Sequence, residues 1–401
     1  MRHHALVCLL VVGSAPFGAL ACRGIAGIKD IELADGGPTG TDGNVPPGPC
    51  PSTAATILFS SPDGFDHLSV LDGFIYADLQ TTTSSTTNGG GGVVRCPAAG
   101  CTTPQIAQTV VGPSDLNHNW AGSSVTASGI YSALSGILGT NVNDGGNVTA
   151  NNGTLNAAGL DGTNARTFAP NLAYPGFPAA TATDLFWTND PTGAGDTGVT
   201  SLMKCSLATG CSAGSGGNPP GSVWLSGVGT AYGVSVDSAN VYLLAAATPN
   251  DTSGAAQLYS CPLATSCGAP HVVVSGLSTT VAGTTTVVDT SFYTSDGTYV
   301  YVAPPGQTSV LRVSVAAGST TMIATGQQGA SGLVLDGSYL YWGTSTGTIY
   351  RASKNGTGAL QAVACQLASP SYLAVDASSI YFVGAGAGGN PAVYKLPKPQ
   401  P

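Results

Sequence analysis

Short apolar runs alternate with polar, glycine-rich stretches along most of the chain, and one aromatic position recurs inside the runs. Tyr76, Tyr131, Phe186, Tyr242, Tyr301, Tyr341 and Tyr381 each occupy it, spaced 40 to 59 residues apart. An Asp precedes this anchor by five positions at Asp237, Asp296, Asp336 and Asp376. The clearest copies, 334–342 and 374–382, predict a strand, a tight turn and a second strand. A second mark follows most anchors, an apolar residue and then a small or basic one: Val94-Arg95, Met203-Lys204, Tyr259-Ser260, Leu311-Arg312, Tyr350-Arg351 and Tyr394-Lys395. A turn and a fourth apolar run, such as 271–274, come next.

Four strands in each of seven successive units predict an all-β chain forming a single β-propeller of seven four-stranded blades over residues 50–397. The second unit is the faintest, because 145–159 is polar and lacks both the basic mark and a Cys pair. It is still needed, since 110 residues separate Tyr76 from Phe186, too many for one blade and a connection. The seventh unit stops at Tyr394-Lys395-Leu396 and lacks a fourth strand, while Cys50 to Phe59 has the shape of one. Pairing 54–59 with 392–396 is therefore expected to close the ring and remove an exposed edge.

Ten cysteines sharpen this picture. Cys8 lies in the N-terminal apolar run and Cys22 just after it. Of the other eight, six form three alike units, Cys96–Cys101, Cys205–Cys211 and Cys261–Cys267. Each joins two apparent strands through a short turn, within the reach of a disulfide. Zinc is the competing reading, but the spacings are wide for it and no His adjoins the pairs. Cys50 and Cys365 are left to pair with each other.

Composition narrows the class. A single glutamate, five lysines and 57 glycines among 401 residues disfavour solvent-facing helices. A net charge of −9 without any basic run argues against nucleic acid. Residues 1–21 have the basic start, eight-residue apolar run and Ala19-Leu20-Ala21 end of a signal peptide. Cys22 follows at the position that bacterial lipoproteins modify with lipid, although Ala19 stands where that motif usually has Leu. Ordinary cleavage and free secretion is the other outcome. Residues 22–49 read as a flexible Gly/Pro-rich tether and 398–401 as a tail. An exported monomer is expected, on the bacterial outer membrane or cell surface through a lipid anchor only, or secreted.

Phe186-Trp187-Thr188-Asn189 and Leu340-Tyr341-Trp342-Gly343 resemble the Tyr-Trp-Thr-Asp repeat of lipoprotein-receptor propellers. Arg95-Cys96-Pro97 and Lys204-Cys205-Ser206 resemble the cysteine-bearing repeats of secreted bacterial propeller proteins. The resemblance implies blades, not a ligand. Receptor propellers of that type have six blades, against seven units here.

Chemistry is sparse. Gly384–Gly389 matches a dinucleotide fingerprint by letter, but a loop and strand follow where a helix is required. Propeller ligands sit where loops lead into the innermost strands, at the mouth of the central channel. Asp66, His67, Asn119, Trp120, Tyr174, Tyr232, Asp289 and Tyr372 fall there. His67 beside Asp66 has the makings of a general base with its carboxylate, or is a solvated loop His. Asp144, Asp190 and Asp196, in Gly/Asn-rich loops, suit either Ca²⁺ or ordinary Asx turns. Otherwise no cofactor or metal is expected. Two functions stand open: a non-enzymatic envelope-tethered binding or scaffold propeller for a peptide, glycan or protein partner, and a propeller lyase or hydrolase acting at the channel mouth.

Overall fold

The computed structural model describes residues 50–399 except 52–53, 63, 81–90, 102–104, 110–117, 137–152, 191–199, 212–220, 249–254, 266, 279, 282–283, 286–289 and 387–388. The signal peptide, Cys22, the tether, Asp144, Asp196 and Asp289 lie outside the described residues.

Seven antiparallel four-stranded sheets follow one another. Their innermost strands are Gly64–Leu71, His118–Thr126, Pro175–Ala180, Ala231–Val236, Tyr293–Ser295, Ser331–Leu335 and Ser371–Val375. The chain is an all-β, seven-bladed propeller. Among the described residues the only helix is the turn Thr290–Phe292. The faint second unit is a full blade, completed by Gly129–Gly136, Gly153–Ala158 and Arg166–Leu172. Gly384 lies in the strand Ser379–Ala385, and the strand Pro391–Pro397 follows the glycine run.

The seventh blade takes its outermost strand, Thr56–Ser60, from the N-terminal side of the chain. Ile57 pairs with Tyr394 and Ser60 with Ala392, so the ring closes as the repeat pattern predicts. All four expected disulfides are present: Cys50–Cys365, Cys96–Cys101, Cys205–Cys211 and Cys261–Cys267. Four disulfides fit an oxidising, extracytoplasmic compartment.

The repeated letters have local causes. In the sixth blade Asp336 Oδ1 accepts the N–H groups of Ser338 and Tyr339, both at 2.8 Å, and Oδ2 accepts the Tyr341 hydroxyl at 2.9 Å. Asp376 does the same for Ser378, Ser379 and Tyr381, each at 2.7 Å. One carboxylate thus folds the turn and fixes the anchor tyrosine five residues on. Burial and then the neighbouring Asp push the Tyr341 and Tyr381 hydroxyls up to about 12.

The basic mark stands directly across from the anchor: Arg95 from Tyr76, Arg312 from Tyr301, Arg351 from Tyr341 and Lys395 from Tyr381. Each reaches a backbone carbonyl just past the third strand of the following blade. Arg95 donates to Leu160 at 2.9 Å, Arg312 to Lys354 at 3.2 Å and Lys395 to Ala98 at 2.8 Å. In the seventh blade the third strand is not followed by a turn, because the fourth strand comes from elsewhere in the chain. Pro399 supplies the missing carbonyl to Arg351 at 2.9 Å. In these four blades the mark is a clasp between neighbours, strengthened by cation–π contact where Arg351 lies 4.4 Å over the Tyr339 ring and Arg95 4.8 Å over Phe74, whereas Lys204 of the third blade pairs with Asp184 of its own blade at 3.4 Å.

Candidate functional site

Three crossovers into innermost strands share one backbone feature. Gly326, Gly329 and Gly332, leading into the sixth blade, have φ of 71°, 60° and 65°. Glycine takes such left-handed angles without steric cost. The same period of three recurs with side chains. Asn171, Tyr174 and Phe177 lead into the third blade with φ of 59°, 43° and 49°, and Gln366, Ser369 and Tyr372 into the seventh with 58°, 49° and 45°. Phe177 lies in the bulge between Gly176 and Ala179, and Tyr372 in the one between Ser371 and Ala374. An L side chain at such an angle costs roughly 1–2 kcal/mol. These residues hold aromatic and polar groups where glycine is the cheaper choice. Phe177 was not singled out from sequence, because nothing in its letters marks a left-handed position.

The sequence candidates divide as follows. Tyr174, Tyr232 and Tyr372 are half-buried on or beside innermost strands of the third, fourth and seventh blades. Asn119 lies in the strand His118–Thr126 of the second blade. Asp66 is the extra residue of a bulge between Phe65 and His67. Asp190 donates its backbone N–H to the Ala173 carbonyl at 3.0 Å. Among the described residues no three His, Cys, Asp or Glu side chains gather as a metal site.

The sequence reading missed Asp78. It pairs directly with His67 across the first two strands of the first blade, so the two side chains share a sheet face. His67 is exposed, whereas Asp78 is only 2% exposed. The seam with the second blade covers it. Ser123 donates its hydroxyl to Asp78 Oδ1 at 2.5 Å, and Trp120 lies on the same innermost strand as Ser123. A Cβ on Gly91 would stand 2.4 Å from the Trp120 side chain, so only glycine leaves room for the indole. Asp78 Oδ2 and the indole Nε1 are both buried, and neither completes a well-formed hydrogen bond. Burial pushes the Asp78 carboxyl up, while His67, the Ser123 hydroxyl and the Trp120 indole pull it back. The signal was available: two residues past the anchor the other blades carry Ala133, Thr188, Leu244, Ala303, Gly343 and Val383.

Serine, histidine and aspartate thus meet, but not as a nucleophilic triad. Such a triad needs histidine between the other two. Here the hydroxyl donates straight to the carboxylate, which leaves it unactivated.

No family model matches the chain, and no curated protein matches it. Solved structures do. A puromycin-hydrolyzing peptidase of Mycobacterium tuberculosis aligns with TM-score 0.54 and 12% identity, over 86% of this chain and 54% of that one. A puromycin hydrolase gives 0.54 and 15%, over 82% and 51%. The propeller fold is shared. The chain spans about half the length of these peptidases. The β-propeller domain of the Trilobed protease from Pyrococcus furiosus aligns with TM-score 0.52 and 9% identity, over 83% of this chain and 95% of that domain. At such identities the likeness concerns the fold alone. That propeller is described as having an open velcro topology, whereas here the Thr56–Ser60 strand closes the last blade.

Proposed function

We propose that the chain is a non-enzymatic binding module of the bacterial envelope, exported by its first 21 residues, tethered through Cys22 and taking a peptide or glycan at the mouth of the ring. The observation that carries this reading is the pair of strained crossovers. Tyr174, Phe177 and Tyr372 keep aromatic rings on backbone that glycine occupies in the sixth blade. Retained strain of this kind is characteristic of ligand contacts. Rigid aromatic rings offer large contact area at small entropic cost. Several charged side chains are meanwhile engaged in building the ring: Asp336 and Asp376 in hairpins, Arg95, Arg312, Arg351 and Lys395 in clasps. The solved neighbours fit the reading, since in one of them a propeller is a separate domain of a protease.

The test is a screen of envelope glycan fragments and a displayed peptide library against the purified domain. Any ligand found should bind at least tenfold more weakly to Tyr372→Asn, because asparagine tolerates left-handed backbone but lacks the ring. Undiminished binding to that variant would sink the proposal. The second reading, a lyase or hydrolase at the mouth acting through Asp66 and His67, draws its support from His67, which also faces Asp78 across the strands. It requires turnover of a glycan or peptide substrate that His67→Ala abolishes.

A further inference from the structure

The two ends of the ring differ in charge. Residues 50–399 hold eight Lys and Arg, and every one lies toward the end where first strands turn into second and third into fourth. Four of them clasp carbonyls there, Lys204, Lys354 and Lys398 pair with Asp184, Asp296 and Asp336, and Arg166 opens its strand behind a turn. Seven Asp share that end, from Asp72 in the first hairpin to Asp376 in the last, so its charges nearly cancel. At the opposite end, where crossovers enter the innermost strands, the described residues include Asp66, Asp78 and Asp190 but no Lys or Arg. In sequence, the segments connecting fourth to first and second to third strands add six more Asp and again no Lys or Arg. A surplus of one sign at one end draws ligands of the other sign and turns like-charged ones away.

Asp66 shares a backbone setting with the aromatic residues of the crossover end. It is the extra residue of a bulge in the innermost strand of the first blade, as Tyr232 is in the fourth, and Phe177 and Tyr372 lie in the bulges of the third and seventh. All four are half-buried. Bulges re-aim side chains and recur beside ligand sites. Tyr372 packs on the core cluster that holds Phe65, the residue before Asp66, so the carboxylate and this ring come from neighbouring blades. We infer that the crossover end binds a cationic peptide, with Asp66 and the Tyr372 ring holding one lysine side chain. This inference rests on the binding reading above and names its ligand class. A carboxylate gives the ammonium a charged acceptor, and an aromatic face adds cation–π attraction. The fold uses the same combination at its other end: the Lys398 ammonium lies 2.7 Å from Asp336 Oδ2 and 5.3 Å from the centre of the Tyr341 ring. Lys204 likewise lies 3.4 Å from Asp184 and 4.4 Å over the Trp224 ring. A neutral glycan gains nothing from the surplus charge, and an acidic peptide is repelled by it.

The probe is a dye-labelled pentalysine peptide, followed by fluorescence anisotropy with the full domain. The same peptide with every lysine acetylated, and pentaglutamate, are the controls. Pentalysine is expected to bind with Kd below about 1 mM at low salt. Its affinity should fall at least fivefold between about 20 and 300 mM salt, as screening shortens the reach of the charges. Asp66→Asn and Tyr372→Asn are each expected to weaken binding at least threefold. Asp161→Asn removes the same charge from an exposed turn at the other end and should leave binding unchanged. If Asp66→Asn does not fold, Asp190→Asn takes its place and is expected to weaken binding at least twofold. The inference is overturned if pentalysine does not bind, if the acetylated peptide binds as well, or if Asp66→Asn and Asp161→Asn weaken binding equally, which is general attraction to an acidic protein. A glycan or neutral peptide that needs Tyr372, with pentalysine unbound, would remove the cationic class and leave the mouth reading standing. Pentalysine held by Tyr372→Asn as tightly as by wild type would overturn both.

Discussion

Removing residues 398–401 should destabilise the whole ring, and the loss can be worked from the contacts. Lys398 Nζ lies 2.7 Å from Asp336 Oδ2 and donates to the Asp376 carbonyl at 2.7 Å. Its backbone N–H meets the Ser378 carbonyl at 2.8 Å, and the Pro399 carbonyl accepts Arg351 at 2.9 Å. The two side chains of the ion pair are only 10% and 21% exposed, and Arg351 is 4% exposed. Hydrogen bonds to charged groups contribute roughly 1.5–3 kcal/mol each and neutral ones about 1. Part of this returns as Arg351 and Asp336 rehydrate, leaving about 3–5 kcal/mol. For a domain spanning roughly 350 residues that is about 4–7 °C in melting temperature.

The loss should also depend on pH. Burial alone would raise the Asp336 carboxyl, yet Lys398, the N–H groups of Tyr339 and Ser338 and the Tyr341 hydroxyl hold it at about 2. A carboxyl depressed from 3.8 to about 2 stabilises the fold above pH 4, and that contribution fades as pH falls from 4 to 2. Allowing for its partial exposure, it is at most about 2 kcal/mol. The truncated chain lacks the ammonium and has less to lose. The gap between the two chains, measured by calorimetry at pH 6 and pH 2, should therefore narrow by about 1–2 kcal/mol in acid. Equal melting at pH 6, or a gap that widens in acid, would refute the clasp account.

Other consequences follow from the same contacts. Ser369→Gly and Gln366→Gly, at exposed left-handed positions, should each raise stability by about 0.5–1 kcal/mol in chemical denaturation, the relief of strain exceeding the added chain entropy. Gly332→Ala should cost at least about 2 kcal/mol, because its Cβ would stand 2.9 Å from the Tyr372 backbone nitrogen and the angle would be strained as well; a loss below 0.5 would count against backbone-to-backbone packing of the sixth and seventh blades. Replacing Cys50 and Cys365 by serine removes a link spanning 315 positions, worth roughly 5 kcal/mol in the chain-entropy model, whereas each hairpin pair closes 5 or 6 positions and is worth roughly 2. Melting curves of the two kinds of variant should differ in that order. Deleting 50–60 should destabilise the domain and deleting 23–45 should not, read by the same melts.

Much of the fold was legible because its stabilising contacts are local. An Asp, two turn residues and a Tyr five positions later suffice to form the hairpin, so Asp336 with Tyr341 and Asp376 with Tyr381 are visible as letters. The closing strand was legible as a missing fourth strand at one end and a spare at the other. The basic mark was visible but its purpose was not, since Leu160, Lys354, Ala98 and Pro399 receive it through carbonyls that any residue provides. Pro399 and Lys398 lie past the boundary the repeat suggests for the same reason. In the crossovers into the third and seventh blades, Tyr174 and Tyr372 were marked by type and position, but their backbone angles carry no sequence signal without a glycine. Asp78 was hidden by distance along the chain: Asp66 adjoins His67, whereas the cross-strand partner of His67 is eleven positions on.

The central claim is that aromatic rings are kept at the mouth for binding despite the strain they cause. It is tested most directly by making Tyr174→Asn, Phe177→Asn and Tyr372→Asn together, then measuring both melting temperature and retention of the ligands recovered with the wild-type domain. The account predicts a folded, cooperative domain that has lost those ligands. A triple variant that folds and still binds them as tightly as wild type would contradict it.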